Sequence, residues 1–154
     1  MGDLACQLFP PGKEVPYSKN YDEMIATTKE WLDDGISNIY EATFNFLGIL
    51  VMVDILTISE DGEVSIYEVK SSTEVKEIYL HDVSIQYFVL QNLGFKIKSA
   101  NVVHINNNYI RGDELDKCQL FSTLRYFLLK FLSDEVQYFT YIKITNRNSM
   151  RVIQ

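Results

Sequence analysis

The chain has 154 residues, 47% of them hydrophobic and 23% charged, which suits one domain with a substantial core. Fourteen basic against 21 acidic residues leave a net charge of −7, which argues against a surface built to grip nucleic acid non-specifically. Two cysteines, Cys6 and Cys118, are too few and too distant for a disulfide framework or a zinc knot, and they read as free thiols in a reducing compartment.

The opening MGDLACQLFPPGKE has no basic stretch followed by an apolar one, so it is not a signal peptide. Its apolar piece LACQLF ends at PPG, which forces a turn. Such an abrupt start is compatible with a piece of a longer, multidomain protein. Residues 20–34, NYDEMIATTKEWLDD, predict a helix: Asn20 caps it, Asp22 and Glu23 occupy its first turn, and Gly35 stops it. Met24, Thr27, Thr28 and Trp31 fall near one stripe.

Three strands are predicted next. NIYEATFNF (38–46) is aromatic and β-branched, and Gly48 serves the following turn. GILVMVDILTIS (48–59) is a near-continuous apolar run, as in a strand covered on both faces. The longest apolar stretch, Phe46 to Ile58, is interrupted by Asp54 and is too short to span a membrane. EDG (60–62) signals a hairpin, from which EVSIYEVKSS returns as the third strand.

EIYLHDVSIQYFVLQNLG (77–94) is loosely helical in its apolar period and ends on a glycine, and FKIKSANVVHIN (95–106) is a fourth strand. NNYIRGD (107–113) is a loop. QLFSTLRYFLLKFLS (119–133) predicts a second long helix, with Phe121, Leu124, Leu128 and Phe131 in register. VQYFTYIKIT (136–145) alternates weakly, as a late strand would. Lys143, Arg147 and Arg151 give residues 141–154 a charge of +3, so the other 140 residues carry −10. A solvated terminus is the first reading of that basic tail, and a phosphate contact the second.

The order predicts a single α/β domain with a mixed sheet and helices on both sides, because a strand–helix–strand connection makes a right-handed parallel crossover. The core would span about 20–106, with 107–154 a C-terminal helical extension carrying one late strand. The protein is expected to be soluble, cytoplasmic and without a membrane partner.

The chemistry concentrates in the hairpin. Asp54 lies inside the most hydrophobic strand, where a carboxylate must be paired, protonated or bound to a metal. Folding back at EDG brings Asp54 level with Glu68 on the next strand, and Lys70 lies one pleat beyond Glu68 on the same face. Two carboxylates and an ammonium then converge. The carboxylates, with the carbonyl of Val69, suit a hard cation such as Mg2+ or Mn2+. The lysine suits the negative charge that develops when a phosphodiester is hydrolysed. Glu and Lys two apart on a strand also form plain ion pairs, and EVK alone favours that reading. A surface pair has no need of a buried third charge, and Asp54 supplies one.

The spacing D-(x13)-ExK on a hairpin, followed by a helix containing glutamine, resembles the PD-(D/E)XK nuclease superfamily, nearest its RecB-like and CRISPR-associated exonuclease-type branch. The resemblance spans about Ile39 to Asn106, through IYEATF, VDIL, IYEVKSS and HDVSIQYFVLQNLG. It implies a restriction-endonuclease-like core and DNA as the substrate. Asp54 and Glu68 would be metal ligands, Lys70 the catalytic lysine, and Glu41 the earlier glutamate near the metal. Gln86 matches the glutamine of the branch's QxxxY pattern, but Leu90 stands where the tyrosine would be and Tyr87 is displaced. Gln86, Tyr87 and Ser71 are the candidate nucleic-acid contacts. The branch's four cluster-binding cysteines are missing, so no iron–sulfur cluster is expected. Its upstream histidine also has no counterpart, since only His81 and His104 are present.

Other chemistries find little support. His104 reads as a strand histidine and His81 as a surface or cap residue. Ser71, Ser72 and Thr73 end a strand more readily than they hold a phosphate. No nucleophilic triad, Walker loop or GxGxxG is present. The alternatives to a metal-dependent nuclease are a catalytically silent module that binds nucleic acid or protein within a larger assembly, and an aromatic-rich homodimer.

Overall fold

The computed structural model describes residues 2–126. Along the chain run α1 (Gly2–Cys6), β1 (Lys13–Glu14), α2 (Tyr21–Asp33), β2 (Asn38–Phe46), β3 (Ile49–Ile58) and β4 (Val64–Lys70). They are followed by α3 (Glu77–Asn92), β5 (Ile97–Ile105), α4 (Lys117–Leu120) and β6 (Phe121–Tyr126). The six strands form one sheet in sequential order. The pairs β1–β2 and β4–β5 are parallel and the others antiparallel, so this is an α/β protein with a mixed, open sheet.

Local chemistry places the elements. Asn20 caps α2 through its side-chain oxygen, which accepts from the Asp22 amide, and Gly35 follows the helix at φ +75°. The β2–β3 hairpin turns on Leu47 and Gly48, both at positive φ (50° and 83°), as the tight two-residue turn demands. At the next hairpin the Gly62 amide donates to the carbonyl of Ser59. β3 is buried along most of its length, as its near-continuous apolar run predicts.

Two apolar layers cover the sheet. On one face α2 and α3 pack Met24, Val83, Val89 and Leu90 against Leu56, Ile66 and Val102. On the other, α1 seats Ala5 against Ile55, Val103 and Phe121. Helices therefore lie on both sides.

One element differs from the sequence expectation. Residues 119–133 are predicted as a helix, yet Phe121–Tyr126 form β6, antiparallel to β5. The pattern of Phe121 and Leu124 fits a helical period, but β5 offers an edge of unpaired amides and carbonyls. Pairing there buries Phe121 against Ile55 and Val103, while Leu124 stays 42% exposed. A sheet edge has overridden a short-range period. The described sheet thus extends past residue 106, where the predicted core ended. The rest of the predicted helix (127–133), the late strand at 136–145 and the basic tail lie outside the described residues.

Candidate active site

The site arises where the sheet comes apart. β3 and β4 pair from Ile58 and Val64 up to Ile55 and Tyr67. Continued one step further, the same register would set Asp54 opposite Glu68. There the ladder ends, while β4 stays paired to β5 through Lys70 and His104. On the other side, β2 pairs with β3 at Tyr40–Ile55 and again at Ala42–Val53, skipping Glu41 and Asp54 between them. Glu41, Asp54 and Glu68 thus occupy one row across three adjacent strands.

Asp54 sits in the fork. Its Oδ2 accepts from the Val69 amide at 2.7 Å, so a carboxylate replaces the backbone carbonyl that a continued ladder would supply. A strand residue's amide and carbonyl leave on the same side, so the Val69 carbonyl is also directed toward β3. Burial, then the neighbouring Glu68 and Glu41, push the Asp54 carboxyl up to about 7, against the pull of the Val69 amide and Lys70. Glu41 is raised by burial and by Glu14 and Glu68. Its backbone is strained as well, with φ 55° in the left-handed region, where Thr43 Oγ donates to its carbonyl at 3.0 Å.

Glu68 is 1% exposed and bonded at both carboxylate oxygens. Its Oε1 accepts from Lys70 Nζ at 2.8 Å and its Oε2 from Gln86 Nε2 at 2.6 Å. Burial raises its carboxyl although Lys70 and Gln86 oppose that shift. Lys70 also donates to Asp82 Oδ2 at 2.9 Å and lies 5.1 Å from the Tyr79 ring centre. Burial works against its charge, but the two carboxylates outweigh it and the ammonium pKa is raised. Gln86 Nε2 donates to the Met52 carbonyl too, at 3.2 Å, and Gln86 Oε1 is a buried oxygen with no hydrogen-bond partner among the described residues.

A cavity of about 280 Å³ opens beside the row, lined by Cys6, Glu14, Glu41, Asp54, Val69 and Ser71 among others. The expected site residues therefore divide. Asp54, Glu41, Val69 and Ser71 face the cavity, whereas Glu68, Lys70 and Gln86 form a hydrogen-bonded cluster against α3. Tyr87 packs at the margin of the α2–α3 core, away from both groups. Gln86 is 2% exposed and holds Glu68, so its amide supports a carboxylate instead of meeting solvent. His81 approaches Glu77 at 3.8 Å, and His104 Nδ1 lies 3.1 Å from the Ile105 carbonyl. The cysteines are free thiols; burial pushes Cys6 up to about 11, with Glu14 and Asp3 adding to the shift.

Asp82 and Tyr79 are site residues that sequence reasoning missed. The signal was present: Tyr79, Asp82 and Gln86 are spaced three and four apart, one stripe of a helix.

The donor set suits a hard cation in its chemistry. Three carboxylates share one row with a single ammonium, and all three are raised first by burial, with neighbouring acids adding to the shift. Asp54, Glu68 and the Val69 carbonyl would hold such an ion, with Glu41 at the margin. Each Glu68 oxygen accepts one hydrogen bond, from Lys70 or Gln86, and retains a second lone pair. Among the described residues, no three His, Cys, Asp or Glu side chains already stand in ligating arrangement.

No family model matches the sequence. No curated protein matches it either. Among the described residues, no helix is long and apolar enough to cross a membrane.

Proposed function

We propose that this chain is a metal-dependent DNA nuclease domain of the PD-(D/E)XK type, built on a restriction-endonuclease-like core. The observation that carries the reading is the fork at Asp54, where two strands part around a half-buried carboxylate beside the Glu-x-Lys strand. A plain surface ion pair explains neither the parted ladder nor the row of three acids. Mg2+ or Mn2+, when bound, supplies Lewis-acid stabilisation of the charge that develops on a scissile phosphodiester. Asp54 fixes the ligand position through its bond to the Val69 amide. Gln86 orients Glu68, and Lys70 places a positive charge beside it.

The test is cleavage of single- and double-stranded DNA with Mg2+ or Mn2+, beside Asp54→Asn and Lys70→Met. Activity in the wild type and its loss in both variants is the expected result. Wild type and variants equally inert on every substrate would refute the enzymatic reading for this chain.

One observation favours a second reading, a nuclease-fold module that binds nucleic acid or protein without turnover: both Glu68 oxygens are already occupied by Lys70 and Gln86. Calorimetric titration with Mn2+ separates the two. Heat of binding that disappears in Asp54→Asn supports the nuclease, and a folded protein indifferent to Mn2+ supports the silent module.

A further inference from the structure

Resting on the nuclease reading, we propose that Asp82 is the positioning residue for Lys70, clamping its ammonium between α3 and Glu68. Lysine carries its charge on a flexible stem with many rotamers, so a single partner fixes it poorly. Here Nζ is held between Glu68 Oε1 at 2.8 Å and Asp82 Oδ2 at 2.9 Å, and the Tyr79 ring closes a third side at 5.1 Å. The side chains of Lys70 and Asp82 are only 17% and 13% exposed, so solvent screens the pair weakly.

One helix builds the whole holder. Tyr79, Asp82 and Gln86 project from a single stripe of α3; the first two contact Lys70 and the third bonds Glu68. The geometry makes a clamp. Lys70 has three N–H donors and gives one to each carboxylate, so both bonds form at full length. Without Asp82 the ammonium keeps Glu68 and the Tyr79 ring as partners and is held less firmly. Asp82 does not line the cavity beside Asp54, so its influence on that site passes through Lys70.

The experiment compares the full chain with Asp82→Asn and Asp82→Glu in two readouts. The first is steady-state DNA cleavage with Mn2+. Asp82→Asn is expected to lower kcat at least tenfold with KM for DNA changed less than twofold, and Asp82→Glu to recover part of the loss. The second needs no turnover: brief acetylation of lysines read by mass spectrometry, with the exposed Lys29 as internal reference. Lys70 is expected to label several-fold faster in Asp82→Asn than in the wild type, and at an intermediate rate in Asp82→Glu. Unchanged kcat in folded Asp82→Asn, or Lys70 labelling equal across all three proteins, overturns the proposal. A wild type inert on DNA overturns the nuclease reading and the catalytic half of this inference together. Altered Lys70 labelling would in that case still establish the clamp.

Discussion

Asp54→Asn is the most informative single change, because it should stabilise the metal-free protein while removing its function. Asparagine keeps the size of aspartate and an oxygen that can accept from the Val69 amide. What it removes is a charge whose ionisation the fold resists. The carboxyl is moved from an ordinary 3.8 to about 7, chiefly by burial and then by Glu68. At about 1.36 kcal/mol per pH unit, that difference amounts to roughly 4 kcal/mol against the ionised folded state. The bond to the Val69 amide weakens when its acceptor becomes neutral, and water reaching the cavity relieves part of the strain, so a net gain of about 2 kcal/mol is expected. The sign follows from proton counting. Below about pH 4 both folded and unfolded chains hold the proton, and nothing is lost. Between pH 4 and 7 the folded state holds a proton that the unfolded state has released, so stability falls as pH rises. Above pH 7 the penalty is complete. Urea denaturation in EDTA at pH 5 and pH 8 measures it. Asp54→Asn should exceed the wild type by about 2 kcal/mol at pH 8, a few degrees in Tm, and by clearly less at pH 5. A variant less stable than the wild type at pH 8, or an advantage equal at both pH values, would refute the reasoning.

Other expectations are simpler. Mn2+ should raise the thermal midpoint of the wild type at pH 8, because binding relieves the same unmatched charge, and should leave Asp54→Asn unmoved; equal shifts in both would place the ion elsewhere. Lys70→Met should lower unfolding free energy by about 3 kcal/mol, since it leaves two carboxylates, Glu68 and Asp82, without their common partner, and urea melts will show it. Gly12→Ala should disturb the N-terminal segment, because a Cβ there would stand 2.4 Å from the Asn38 carbonyl oxygen. Cys6, raised to about 11, should then react faster with a disulfide reagent at pH 8 than it does in the wild type, where its thiolate is about a thousandth of the population. Leu56→Ala, at a fully buried position, should cost about 3 kcal/mol in the same melts.

The sequence by itself determined most of the frame. Asn20 and Gly35 bound a helix, Gly48 and Gly62 turn the two hairpins, and the apolar run around Asp54 demands a buried strand. These are local requirements of φ, capping and periodicity, and one chain read in order carries them. The register of the β3–β4 hairpin was also legible, because counting back from EDG pairs Ile58 with Val64 and Ile55 with Tyr67. Only the tertiary structure decided the rest. Phe121–Tyr126 became a strand because β5 had an edge to fill, a condition set by residues about 20 positions earlier. The ladder's parting at Glu41, Asp54 and Glu68 is a cooperative property of three strands, written in none of them alone. The division of the site is likewise spatial: a carboxylate's partners depend on which side chains a distant helix delivers, and Asp82 and Gln86 reach Lys70 and Glu68 only because α3 lies across that end of the sheet.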